Sequence, residues 1–85
     1  MKETEKNIKW KSGEIIYKIN SEPKGVFLIM SGTVEIFSKD GFLLNTLGDK
    51  EILGETSFIL GLKRSVTAKA GPSGASALYI NRNKL

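Results

Sequence analysis

Short apolar stretches alternate with polar and turn-forming residues along most of the chain. The stretches are rich in β-branched and aromatic residues, which is typical of strands in a sandwich or barrel. They cover residues 14–19, 25–30, 33–38, 42–47, 51–53, 64–70 and 76–81. The pattern therefore predicts an all-β, or mainly β, fold.

Turn signals and one short helical stretch separate these segments. Residues 31–32 (Ser-Gly) and 40–41 (Asp-Gly) each place a glycine between two apolar segments, which predicts an antiparallel hairpin at both places. Residues 71–74, Gly-Pro-Ser-Gly, predict a loop, because glycine and proline disfavour regular structure. The one predicted helix covers residues 56–60 and ends at a glycine.

The composition limits the function classes. Eighty-five residues fit a single domain over 1–85, of which the charged residues 1–7 are expected to be frayed. The chain has no cysteine and no histidine, so we expect no disulfide, no metal site and no catalytic centre. A metal-dependent enzyme of the cupin type is disfavoured for the same reason. The chain also has no apolar run long enough to span a bilayer and no signal-peptide pattern, which predicts a cytoplasmic protein without a membrane role.

The net charge of +4 is a mild bias toward an anionic partner. The sequence has no dense stripe of lysine and arginine, so a nucleic-acid partner is not expected. A β-barrel that binds single-stranded nucleic acid through exposed aromatic residues stays an open alternative. It predicts strong salt dependence of binding.

Residues 52–68 contain the most informative chemistry. They are predicted to form a strand, a turn at Gly54, the short helix, and a strand that opens at Arg64. The helix start offers unpaired N–H groups, and Arg64 offers a planar set of donors that can grip two phosphate oxygens. Glu55 can accept a hydrogen bond from a ribose hydroxyl. These groups can converge on a small anionic sugar phosphate. A structural ion pair between Glu55 and Arg64, or a cap at the start of the short helix, is an alternative.

This segment resembles the phosphate-binding cassette of the cyclic nucleotide-binding domains found in catabolite-activator-like regulators, kinase regulatory subunits and gated channels. The family pattern is Gly-Glu, a short helix, then Arg followed by small residues and Ser or Thr, and Gly54, Glu55, Arg64, Ser65 and Thr67 match it. A second family pattern, an aromatic-apolar strand followed by a glycine and a valine, matches residues 27–34. The resemblance covers the chain from about residue 9 to the end.

The resemblance implies a β-roll, a jelly-roll-like double-stranded β-helix of about eight short antiparallel strands, with one short helix in the cassette. It implies a non-catalytic sensor or regulatory domain that binds cAMP or cGMP and needs no other cofactor. Arg64 and the backbone of residues 65–66 would hold the cyclic phosphate, Glu55 the ribose 2′-hydroxyl, and Leu53 the sugar and base. The implied ligand-binding residues are Leu53, Gly54, Glu55, Thr56, Arg64, Ser65, Val66 and Thr67.

Three departures from the family pattern lead to further expectations. Asn20 stands where a glycine is common, and asparagine tolerates the left-handed conformation. Lys50 and Glu51 stand where Gly-Asp is usual. The family's lid helices would begin near residues 81–85, so the resemblance implies a minimal form whose open ligand mouth is covered by a second copy or a partner protein. A degenerate module that serves only oligomerisation or docking is the remaining alternative.

Overall fold

The computed structural model describes residues 5–81. Within this range the chain forms six strands and one helix. They are β1 (Glu5–Trp10), β2 (Ile15–Tyr17), β3 (Gly25–Phe37), β4 (Leu43–Leu47), β5 (Ile52–Leu53), α1 (Glu55–Leu60) and β6 (Thr67–Asn81). Strands dominate, the strand pairs are antiparallel, and the predicted all-β class is confirmed.

The two long strands organise the sheet. β6 pairs with β3 along most of its length and also pairs with β1 and β2. β3 pairs on its other side with β4 and β5. Register shifts near the middle of both long strands bend the sheet into a roll, with α1 placed immediately after β5 at one side of it.

The predicted hairpin at Ser31-Gly32 is wrong, because β3 runs through both residues without a turn. Gly32 does adopt a positive φ of 75°. A side chain at this position would collide with the carbonyl oxygen of Gly74 on β6. The glycine therefore allows two strands to approach closely at a bulge, which the local sequence does not distinguish from a turn.

The predicted loop at residues 71–74 is also wrong, since these residues lie inside β6. The register passes from the Val34–Ala70 pair to the Gly32–Ala75 pair, so residues 71–74 stand opposite Thr33 alone. The interruption expected from glycine and proline is thus a bulge within a continuous strand.

The predicted hairpin at residues 40–41 is confirmed. Ser38 N–H donates to the carbonyl oxygen of Phe42 at 2.8 Å, where β3 turns into β4. β1 was not predicted, because its charged residues hide the alternation of Ile8 and Trp10. Of the residues expected to be frayed, 5–7 belong to β1 and 1–4 lie outside the described range.

The core is small and depends on close contact between β3 and β6. Ile29, Val34 and Leu53 are its largest fully buried side chains. Opposite them, β6 contributes small buried residues, namely Ala68, Ala70, Ala75 and Ala77. Small side chains on one strand let the larger ones on its neighbour fill the interior, as a domain of this size requires. Between residues 5 and 81, no helix is both long and apolar enough to cross a bilayer.

Candidate functional site: a phosphate-binding cassette

Gly54 shapes the entry to the cassette. It precedes α1 in the left-handed conformation, with φ 83°. Arg64 fills the space that a side chain at residue 54 would need. A Cβ at this position would lie 2.5 Å from Nη1 of Arg64. The buried ring of Phe58 fixes the helix to the rest of the domain. Glycine is therefore needed here both for its backbone conformation and for the approach of Arg64.

Arg64 is the only charged side chain that is buried among the described residues, with 4% of its surface exposed. Its Nη1–H donates to the carbonyl oxygen of Gly54 at 2.6 Å, and its Nη2–H donates to the carbonyl oxygen of Gly25 at 2.8 Å. The ring of Tyr17 lies 4.3 Å from the guanidinium carbon. Backbone oxygens and an aromatic face thus hold this cation in one place.

The backbone of Arg64 is tied to the turn that follows β2. Asn20 N–H donates to the carbonyl oxygen of Arg64 at 2.7 Å, and Arg64 N–H donates to the carbonyl oxygen of Ser21 at 2.9 Å. Asn20 has a φ of 73°, which confirms the left-handed conformation expected for it. This turn fixes the point from which the arginine side chain enters the interior.

The charge of Arg64 has no anionic partner within residues 6–81. Its Nε–H is buried and makes no hydrogen bond there, and no ion pair joins Arg64 to Glu55 or to another carboxylate in that range. Burial lowers the pKa of Arg64 below its ordinary value, while Tyr17 and Tyr79 oppose that shift. The alternative of a structural Glu55–Arg64 ion pair is therefore not what the structure forms. A buried cation without a counter-ion is destabilising until an anion approaches it.

The cassette residues line a cavity of about 270 Å³ that is open to solvent. Six of the eight predicted site residues line it, namely Leu53, Gly54, Glu55, Thr56, Ser65 and Val66. Residues that the motif did not indicate also line it: Tyr17, Ile36, Leu47, Ile52 and Ser57. Ile52 and Ser57 lie inside residues 52–68 and could have been included. Tyr17, Ile36 and Leu47 come from β2, β3 and β4, and only the sheet topology brings them to the site.

The remaining predicted polar residues differ in their availability. The Glu55 carboxylate is exposed and has no hydrogen bond or ion pair with any described residue. Thr67 does not line the cassette cavity, and its Oγ1 accepts a hydrogen bond from Ile19 N–H at 3.0 Å. No group of three or more acidic side chains that could hold a metal occurs in the described part of the chain.

The loop before the cassette explains one departure from the family pattern. Lys50 adopts the left-handed conformation, with φ 70°, and its N–H donates to the carbonyl oxygen of Ile29 at 2.6 Å. A Glu51 carboxylate oxygen accepts the N–H of Gly48 at 3.0 Å. Lys50 thus takes the backbone conformation that favours glycine, and the Glu51 carboxylate accepts a backbone hydrogen bond, so the loop accommodates both replacements.

A second cavity, of about 280 Å³, is lined by both Tyr17 and Arg64. Three further aromatic residues line it: Trp10, Phe27 and Tyr79. Phe27 is at their centre, with ring centroids 5.8 Å from Trp10, 6.2 Å from Tyr17 and 4.9 Å from Tyr79. We call this space the aromatic cavity. Tyr17 lines both cavities, while Arg64 lines the aromatic one and touches the cassette through Gly54.

The comparison with known protein families agrees with this geometry. The family model described as a cyclic nucleotide-binding domain matches residues 7–85. The chain therefore belongs to the cyclic nucleotide-binding domain family, a family of regulatory binding modules, and the resemblance inferred from residues 27–34 and the cassette motif is confirmed.

Particular proteins are similar to this chain in sequence or in structure. Lysophospholipase NTE1 of Kluyveromyces lactis is 37% identical over a match of 89 residues. The match covers 94% of this chain and 6% of that protein. The solved structure of PKAR CBD2 with Sp-2Cl-cAMPS bound is 26% identical, with a TM-score of 0.84, and the match covers 94% of this chain and 53% of that one. The catabolite activator protein of Thermus thermophilus is 25% identical, with a TM-score of 0.83, and the match covers 94% of this chain and 39% of that one. The chain thus spans only part of each relative.

Proposed function

We propose that this domain binds a cyclic purine nucleotide, cAMP or cGMP, as the input of a regulatory switch. The observation that carries the proposal is the buried guanidinium of Arg64 without a carboxylate partner in the described range. A guanidinium has five N–H donors, and within the described residues only the two that reach Gly54 and Gly25 are taken. The remaining donors suit the oxygens of one phosphate group.

The other cassette residues supply complementary contacts for such a ligand. Glu55, which is exposed and has no partner in the described part of the chain, is assigned to the ribose 2′-hydroxyl, and the backbone at Ser65 and Val66 to the cyclic phosphate. Leu53 and Leu47 offer an apolar wall for the sugar and base. A cavity of about 270 Å³ is close to the lower end of the usual range for small-ligand sites, roughly 300 Å³, so part of a nucleotide would extend beyond it.

We propose that the domain binds this ligand without hydrolysing it. The sequence has no histidine or cysteine to act as base or nucleophile. Incubation of purified domain with cAMP, followed by chromatography, is expected to return the cyclic nucleotide unchanged. A 5′-nucleotide product whose amount scales with the protein through successive purification steps would contradict this.

Titration calorimetry tests the binding proposal directly. We expect heat of binding with cAMP or cGMP, weaker binding with 5′-AMP, and none with adenosine, because adenosine lacks the phosphate that Arg64 would neutralise. Equal affinity for adenosine and cAMP would show that Arg64 does not bind the phosphate. No binding of either cyclic nucleotide would support the degenerate-module alternative.

A partner or second copy over the ligand mouth stays a proposal, and one surface supports it. Ile59, Leu60 and Leu62, on α1 and directly after it, are 67%, 61% and 58% exposed. Exposed apolar groups that lie together favour contact with another chain. Sedimentation of the domain with and without cAMP is expected to show a ligand-dependent change in mass.

The nucleic-acid alternative has less support, because Trp10 and Tyr79 both pack against Phe27.

A further inference from the structure

The ring of Tyr17 lies where it can set the plane of the Arg64 guanidinium. The Arg64 carbon Cζ is 4.3 Å from the ring centroid, so the cation rests against the aromatic face. The same ring lines the cassette cavity and the aromatic cavity. We propose that Tyr17 is a positioning residue for phosphate binding: it holds the Arg64 guanidinium in one orientation beside Gly54, an inference that rests on the proposed function.

The two carbonyl contacts of Arg64 leave one motion free. Nη1 and Nη2 are each held by one backbone oxygen, of Gly54 and Gly25. Two such contacts fix two points of a planar group and leave a tilt about the line that joins them. The Tyr17 ring, with its centroid 4.3 Å from the guanidinium carbon, opposes that tilt. Because Nε–H has no partner in the described residues, no further hydrogen bond does so.

The position of Tyr17 is itself secured by the fold. β2 pairs Tyr17 with Ala68 of β6, and the register is irregular between Ile15 and Tyr17. Such an irregularity redirects side chains that would otherwise alternate across the strand. Behind Tyr17, the ring of Phe27 packs at 6.2 Å with 7% of its own surface exposed. The ring under Arg64 is therefore supported by the core and is not free to turn away.

The cation–π contact also replaces part of the hydration that Arg64 loses on burial. No carboxylate in the described range supplies that compensation. An aromatic face attracts a cation by its quadrupole and leaves every N–H donor unused, whereas a carboxylate would occupy two donors. A tyrosine ring can thus hold the arginine in the interior and leave its donors free for an anion.

The test uses three variants of the domain and two readouts. Tyr17→Leu is expected to lower cAMP affinity about 10-fold, because the cation–π contact is lost. Tyr17→Phe, which keeps the ring, is expected to restore affinity to within about twofold of wild type. Trp10→Leu is the matched control: Trp10 lines the same aromatic cavity and contacts Phe27, but it does not stack on Arg64. It is expected to lower stability as Tyr17→Leu does, without the loss of affinity.

The second readout needs no ligand and separates this inference from the proposed function. Hydrogen exchange of the Arg64 Nε–H, followed by NMR, is expected to be slow in wild type and in Tyr17→Phe and faster in Tyr17→Leu. If wild type binds neither cAMP nor cGMP, the proposed function fails while the exchange rates still test the role of Tyr17. The inference about Tyr17 would be overturned if Tyr17→Leu left both the exchange rate and the cAMP affinity unchanged. It would also be overturned if Trp10→Leu lost as much affinity as Tyr17→Leu.

Discussion

Arg64→Met separates the structural and the ligand-binding roles of Arg64, because methionine fills much of the same volume without charge or donors. The change removes the Arg64 hydrogen bonds to the carbonyl oxygens of Gly25 and Gly54. Gly54 keeps a contact from Phe58 N–H at 3.4 Å. An orphaned buried acceptor costs about 1–3 kcal/mol. Against this, removal of a buried cation without a counter-ion stabilises the fold by several kcal/mol.

The two effects oppose each other in the free domain, so we expect the free energy of unfolding to stay within about 2 kcal/mol of wild type. Ligand binding has no such compensation. Loss of one partner of a desolvated charge pair is expected to weaken cAMP binding by roughly 2–4 kcal/mol, about 30-fold to 1,000-fold. Arg64→Lys should recover little of it, because the planar fork is lost.

Urea denaturation followed by the fluorescence of Trp10, the single tryptophan, measures the stability, and calorimetry measures the affinity. Lys63→Met is the matched control, since it makes the same change of charge at the exposed neighbour of Arg64. It should alter neither quantity by more than about 0.5 kcal/mol. If Arg64→Met strongly destabilised the domain while binding survived, Arg64 would be a structural residue only.

Three further outcomes are expected. Glu55→Ala should weaken cAMP binding by about 1.5–3 kcal/mol but hardly change binding of 2′-deoxy-cAMP, and additive losses would show that Glu55 does not meet the 2′-hydroxyl. Gly54→Ala and Gly61→Ala both place a side chain at positive φ, but only the side chain at residue 54 would meet Arg64. Gly54→Ala alone should therefore lower cAMP affinity, by at least about 10-fold. Equal affinities of the two variants would contradict this. Burial raises the pKa of Tyr17, an effect that Arg64 partly opposes, so the folded state holds the phenolic proton more tightly than the unfolded state does. Stability should therefore fall as pH rises above about 10, and Tyr17→Phe should flatten that decline in urea titrations; an unchanged slope would contradict it.

The sequence pattern located most strands and the cassette helix, because β-branched runs and the Gly54–Gly61 boundaries are local signals. It failed where one residue type serves two geometries: Gly32 gives positive φ to a bulge as readily as to a hairpin. The cassette motif indicated Arg64, but it could not show what surrounds that side chain. Tyr17 and Gly25 reach it only through the pairing of β2 and β3 with β6, which no local pattern encodes.

The pairing of β6 also determines when the domain can fold. Trp10 of the first strand pairs with Ala75, and Glu5 pairs with Ile80, so partners that are far apart in the chain must meet. Among the described strands, β2 likewise pairs only with β6. Non-local pairing of this kind slows folding, because a long loop must lose conformational entropy by closing before any stabilising contact forms. During synthesis, the edges of β1 and β2 therefore stay without this partner until β6 has left the ribosome.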